Sequence, residues 1–202
     1  LSIKSAALSP GDAAIGGPNE TATVPGKKVK LLRGQHRADA TAIGTMLAPV
    51  DHDDVVVSQG FEQLLRCARY YDSAWTYSDE IQVDAKGFLI RRMFKPDYSP
   101  QLLRSTMYIN HLQLIPNTLF ESVGGYREGF EGSQDHDLAL RMSEYTIPKQ
   151  ITAMAYLWRR GRVSLSVEDG RIGDISIEAS RRALDEHFER TGLNADVKPY
   201  FL

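Results

Sequence analysis

Cysteine is nearly absent from this chain: Cys67 stands alone among 202 residues, which excludes an internal disulfide framework and argues against a small secreted scaffold. No apolar run approaches the roughly 20 residues that span a bilayer, and nothing near Leu1 reads as a signal peptide. Neither charge sign dominates. Lys and Arg number 24 against 26 Asp and Glu, so there is no global basic field to hold nucleic acid. Internal repeats are lacking as well. The first residue is leucine rather than methionine, which raises the expectation of a piece of a longer chain. What is present is ordinary for one soluble domain with a sizeable core: 42% hydrophobic and 25% charged residues.

Residues 11–28 are rich in Gly, Pro, Ala and Thr with little periodicity and predict a loop. Val29–Leu32 and Gly44–Val50 read as strands, the second running straight into an acidic cluster. Pro49 within it calls for an edge or a strand end, because proline cannot donate to a ladder. Phe61, Leu64, Leu65 and Ala68 form one face of a helix. Ser73–Tyr77 predicts a strand ending in Ser78-Asp79-Glu80. Asn117 is a candidate cap for a short helix that Gly124-Gly125 terminates, and Ser133 for a helix over about 134–144. A last helix is expected over about 175–191, burying Ala179, Ala183, Leu184 and Phe188 before Gly192 stops it. Alternating strands and helices predict an α/β fold with its chemistry at strand ends.

Two segments carry chemistry. Asp51-His52-Asp53-Asp54 places three carboxylates within four residues after an apolar strand. Crowding them is costly unless a cation neutralises them, and hard oxygen ligands suit Mg²⁺ or Mn²⁺ bound together with phosphate oxygens. A solvated acidic turn explains the same spacing, so spacing alone leaves both readings open. In Gly132-Ser133-Gln134-Asp135-His136-Asp137, Asp135 falls in the first turn of a helix, where unpaired N–H groups favour an anion. Such a carboxylate can act as a general base; it can equally decorate a helix start.

The series of motifs is more specific than any one of them. Gly44-Thr45-Met46-Leu47-Ala48-Pro49-Val50 with the acidic cluster comes first, followed by Tyr77-Ser78-Asp79-Glu80, Phe94-Lys95-Pro96-Asp97-Tyr98-Ser99-Pro100 and Tyr108-Ile109-Asn110-His111-Leu112. Val123 to Leu138, through Gly124-Gly125-Tyr126-Arg127-Glu128-Gly129-Phe130, closes it. In this order, over residues 44–200, the chain resembles family 2 glycosyltransferases of the polysaccharide and O-antigen type.

That resemblance implies a GT-A-like fold: a mixed, mainly parallel sheet flanked by helices, as one domain over residues 1–202. Residues 1–36 would be a divergent N-terminal segment, 37–165 the catalytic core and 166–202 a C-terminal helical extension. It implies an inverting, hexosyl-type transfer from a nucleotide-diphospho-sugar donor to a glycan or lipid-linked acceptor, with Mn²⁺ or Mg²⁺ as cofactor. Asp51 and Asp53 match the DxD motif for metal and donor diphosphate, with Asp54 adjacent. Asp79 and Glu80 would lie by the donor sugar, and Asp135 matches the catalytic base, preceded by Gln134 where many members have Glu. His111, Trp158, Gln134 and Trp75 are candidates for the sugar or acceptor sites. A place in a larger cell-envelope synthase, in the cytoplasm at the inner face of the membrane, is the matching expectation.

Two departures favour a competing reading. The family's Tyr-His-Trp-Arg is here Tyr156-Leu157-Trp158-Arg159, and Leu157 ligates nothing; His52, His111 and His136 are conceivable substitutes. The usual N-terminal nucleotide-base motifs have no clear match, with Ser2–Pro10 a trace of the first strand and His36–Ile43 a shortened helix; Asp12 and Asp39 are too isolated to assign. The chain could therefore be an inactive GT-A-like domain that binds a glycan or a protein. A nucleotidyltransferase would want a Gly-rich phosphate loop, which residues 11–17 do not supply.

Overall fold

The computed structural model describes residues 21–24, 27–33, 45–51, 53–72, 74–160 and 170–198. The expectations for Ser2–Pro10, His36–Ile43 and His52 lie outside them. The strands are β1 (Thr21–Val24), β2 (Lys27–Arg33), β3 (Met46–Val50), β4 (Val55–Val56), β5 (Thr76–Asp84), β6 (Leu89–Met93), β7 (Gln113–Pro116) and β8 (Lys149–Arg160). The helices are α1 (Ser58–Tyr70), α2 (Pro100–Ser105), α3 (Asn117–Ser122), α4 (Gln134–Ser143) and α5 (Gly170–Thr191). One sheet orders the strands β1-β2-β3-β7-β5-β8-β4, with β6 pairing β5 off this path.

Every residue of β3 is buried, as expected of a strand covered on both faces. Met46, Ala48 and Val50 join Phe61, Leu64, Leu65 and Ala68 of α1 in one core. Leu47 joins Trp75, Tyr77 and the apolar faces of α4 and α5 in the other. The predicted α1 stripe is thus the buried one. Pro49 is accommodated because the β3–β7 pairing covers only Met46 and Leu47, leaving β2 as the partner at Pro49. At the end of α3, Gly125 donates its N–H to the Phe120 carbonyl at 2.9 Å, in the left-handed conformation that closes a helix without a Cβ clash.

Several expectations need correction. The sheet is mixed but not mainly parallel: by strand pairs, β2–β3 and β5–β8 run parallel and the other five described pairings antiparallel. The stretch 11–28 is not all loop, because Thr21–Val24 pairs with β2, which itself starts at Lys27. β5 does not end at Tyr77. It runs on to Asp84, held by β8 along one edge and by β7 and then β6 along the other. Neither proposed cap makes its bond. Asn117 lies inside α3 and donates to Glu121, while the Ser133 hydroxyl is turned to Ser176 and Ser180 of α5. α5 begins at Gly170, earlier than expected, and buries Ala179, Ala183 and Leu184; Phe188 packs against the same core.

Helix α1 crosses β8 at Gly60, where a Cβ would run into the Met154 carbonyl and the Ala155 backbone. Backbone cannot rotate away as a side chain can. Gly60→Ala is therefore expected to cost about 1–3 kcal/mol or more, read as a lowered midpoint in urea unfolding. A midpoint equal to that of the parent chain would mean that α1 can lift from the sheet freely.

Candidate active site

The site grows from the point where β3 runs out. Asp51 is half-buried there, and its N–H donates to the Tyr156 hydroxyl of β8 at 3.0 Å. The following turn, closed by Asp54 N–H on the Asp51 carbonyl at 3.3 Å, leaves Asp53 exposed and Asp54 only 3% exposed. Asp54 Oδ1 accepts from the Arg159 N–H at 2.7 Å, whereas Oδ2 has no hydrogen-bond partner. Burial pushes this carboxyl up from 3.8 to about 6, with Asp51 and Asp53 adding to the rise. The Arg159 N–H and the nearby Tyr156 hydroxyl oppose it, although the hydroxyl does not reach Oδ2 in bonding geometry.

His111 forms the next wall. Its ring stacks on Tyr156 with centroids 4.9 Å apart, and Trp158 lies at 6.3 Å. Nε2 stands 3.5 Å from Asp51 Oδ2 and makes no hydrogen bond. Burial pulls the imidazole down to about 4, so at neutral pH this is a neutral ring beside a carboxylate. The backbone on either side of that ring is fixed by a buried pair: Glu80 Oε2 accepts the His111 N–H at 2.9 Å, and Lys95 Nζ donates to the His111 carbonyl at 2.6 Å.

Asp135 arrives from the other core. It sits half-buried in the first turn of α4, and its Oδ1 accepts from the Tyr126 hydroxyl at 3.2 Å. Burial raises the Tyr126 phenol well above its ordinary value, and the fields of both Asp135 and Asp51 push it further. Tyr126 therefore stands within electrostatic reach of the β3 carboxylate and the α4 carboxylate together. Gln134 is half-buried beside Asp135. Asp137 faces away from all of this, fully buried between Arg127 and Arg141. Burial alone would raise its carboxyl, but the hydrogen bonds from these two arginines outweigh it and hold it below the usual range.

The structure sorts the remaining candidates. Asp79 and Glu80 lie inside β5 rather than at its end, 1% and 4% exposed, and both are engaged. Asp79 Oδ1 accepts from Lys95 N–H and Gln150, and Glu80 Oε1 accepts from Gln82. Trp75 is core, its indole N–H bonded to Gln113 at 2.7 Å. His136 is bonded to the Leu103 carbonyl among the helices, so it is no substitute ligand. Leu157 lies between Val55 and Ile81, and strand alternation points it away from the face that Tyr156 presents to Asp51. Among the described residues, no three of His, Cys, Asp and Glu gather into a metal cage. The donor set instead suits a cation held by one or two carboxylates and completed by phosphate oxygens. Asp54 Oδ2 and His111 Nε2, both buried without a hydrogen-bond partner, fit an arriving polar group. Tyr126, Tyr156 and Lys95 were missed as site residues, although each stands within or next to a matched motif.

A mixed sheet flanked by helices, with carboxylates beyond β3 and at the start of α4, defines an α/β fold. No family model matches the chain. In sequence it is 43% identical over 125 residues to the O-antigen biosynthesis protein RfbC of Myxococcus xanthus, covering 61% of this chain and 10% of that protein. It is also 36% identical over 165 residues to the uncharacterized protein y4gI of Sinorhizobium fredii, covering 80% of this chain and 18% of that one. The chain thus spans less than a fifth of either curated relative's length. In fold it is similar to S. aureus TarS (residues 1–349), with a TM-score of 0.52 at 14% identity, covering 78% of this chain and 43% of that one. A GT-A-like α/β fold and the O-antigen-type resemblance read from the motifs are consistent with these matches.

Asp54 yields a pH prediction. Its folded value lies above its unfolded one, so the penalty for ionising it is absent below about pH 4, grows between 4 and 6, and is complete at neutral pH. A two-unit shift corresponds to about 3 kcal/mol. Asp54→Asn should stabilise the metal-free protein at pH 7, and the gain should vanish near pH 4 in urea titrations. A difference that does not change with pH would contradict the assignment.

Proposed function

We propose that the chain catalyses an inverting transfer of a hexosyl group from a nucleotide-diphospho-sugar to a hydroxyl of a glycan or lipid-linked acceptor. The observation that carries this reading is Asp135 in the first turn of α4, half-buried and held by the Tyr126 hydroxyl at 3.2 Å. Chemistry of this kind needs a proton acceptor on one side of the anomeric carbon and a place for the departing diphosphate on the other. Asp135 takes the proton from the acceptor hydroxyl, whose oxygen attacks the anomeric carbon. The bond from that carbon to the β-phosphate oxygen breaks in the same step, and the nucleoside diphosphate leaves with inversion. Tyr126 holds Asp135 in position, and the N-terminus of α4 favours its negative charge. Asp51 and Asp53 are the residues that would hold Mn²⁺ or Mg²⁺, which when bound supplies positive charge for the leaving diphosphate. His111 and Trp158 flank the same space and are assigned to sugar contact. Gln134, next to Asp135, belongs to the acceptor side. Asp79 and Glu80 shape the pocket through Lys95 and His111 rather than by touching the donor. The reading includes a place in a longer synthase, in the cytoplasm, in peripheral contact with the inner face of the membrane. No helix among the described residues is long and apolar enough to cross it.

A second reading is an inactive GT-A-like domain that binds a glycan or a protein. It is favoured by Leu157 in the position of the family histidine.

Thermal shift with UDP-, GDP- and dTDP-sugars, with and without Mn²⁺, separates the two. A hundredfold excess over the dissociation constant stabilises by about 2.7 kcal/mol, or roughly 5–10 °C for a chain of this size. One nucleotide should give a metal-dependent shift that Asp53→Ala abolishes. Asp135→Asn should keep the shift and lower turnover by about 10²–10⁴-fold. No shift with any nucleotide would select the inactive reading, and loss of both binding and turnover in Asp135→Asn would remove its role as base.

A further inference from the structure

The β5–β6 hairpin is unlike the rest of the surface. Phe88, Leu89, Ile90 and Phe94 are 65%, 53%, 47% and 68% exposed within seven residues. Between and beside them stand exposed Lys86, Arg91 and Arg92, and residues 85–96 contain no acid at all in a chain of net charge −2. The acid at its near end is engaged: Asp84 Oδ1 accepts the N–H groups of Lys86 and Phe88. Among the described residues β6 pairs only with β5, so it is an edge strand. Charge alone would protect an edge from aggregation, but protection does not require four large apolar side chains in water. The register passes from Gln82↔Arg91 to Val83↔Leu89, leaving Ile90 as a bulge that spoils the edge for an added strand. Interleaved aromatics and cations, with long stems that reach past an apolar layer, suit the boundary between headgroups and acyl chains.

We infer that the β5–β6 hairpin, through Phe88, Ile90, Phe94 and the cations Lys86, Arg91 and Arg92, docks the protein on an anionic lipid surface. The inference rests on the peripheral-membrane part of the function proposed above and supplies the surface that makes the contact. It also has a geometric consequence. Phe94 is followed by Lys95, whose N–H donates to Asp79 at 2.9 Å and whose ammonium holds the His111 carbonyl. Docking through β6 therefore brings the lipid surface to the flank of the site at which a lipid-linked acceptor would be used.

Co-sedimentation with phosphatidylcholine vesicles, with and without phosphatidylglycerol, tests this in the absence of any sugar nucleotide. The protein should sediment with the anionic vesicles only, and less so as salt rises. Each cation removed should weaken partitioning about fivefold, so Lys86→Gln with Arg92→Gln should weaken it roughly twenty-five-fold. Phe88→Ser with Phe94→Ser should abolish it. These side chains are exposed, and unchanged thermal melts would show that the variants are folded. Undiminished binding by both double variants would overturn the hairpin assignment while leaving the peripheral reading standing. No binding by the parent chain would overturn both. Self-association that the phenylalanine variants dissolve, without lipid dependence, would make the hairpin a contact between copies and overturn the inference.

Discussion

A buried ion pair holds the site together. Glu80 and Lys95 meet at 3.4 Å, each side chain only 5% exposed, and every remaining partner of the pair belongs to a chain segment that must be positioned. Glu80 bonds Gln82 on its own strand and the His111 N–H; Lys95 bonds the His111 and Ile109 carbonyls. Burial pulls the ammonium down to about 8, against the pull of Glu80. Buried pairs are poor sources of net stability, and removing one partner alone is severe because the other is left uncompensated. What this pair provides here is place: it fixes the loop before β7, and with that loop the His111 ring against Tyr156 and Asp51.

The sheet explains why such a device is needed. β5 is shared along one edge by β7 at Thr76–Tyr77 and by β6 from Glu80 onward. Where β7 has ended and β6 has not begun, the Ser78 N–H still donates to the Leu112 carbonyl at 2.9 Å, and side chains fill the rest of the gap. Ser78 Oγ meets the Leu112 N–H, and Asp79 meets the Lys95 N–H. Tyr156 and Tyr126 perform the corresponding task for the two carboxylates, one anchoring the backbone of Asp51 and the other the side chain of Asp135.

Local features were legible in the sequence because local rules produce them. The α1 stripe, the glycine at the end of α3, the apolar strand before Asp51 and the acidic start of α4 all lie within a turn or a strand of the residues that specify them. Burial of Asp79 and Glu80 was not legible. It depends on β8, whose pairing positions from Lys149 to Arg160 lie some seventy residues further on. The Ser133 cap failed for a similar reason, since its hydroxyl was drawn away by α5, more than forty residues distant. His136 and Trp75 look chemically able in a sequence but turned out to be satisfied core groups.

The account depends on one space shared by the β3 carboxylates and Asp135. Crystals grown with Mn²⁺ and a nucleoside diphosphate, measured for anomalous scattering at the manganese edge, test it directly. The account predicts a manganese peak in contact with Asp53 or Asp51, with the diphosphate in the same cavity as the Asp135 carboxylate. Manganese bound elsewhere, or a diphosphate separated from Asp135 by the body of the protein, would contradict it.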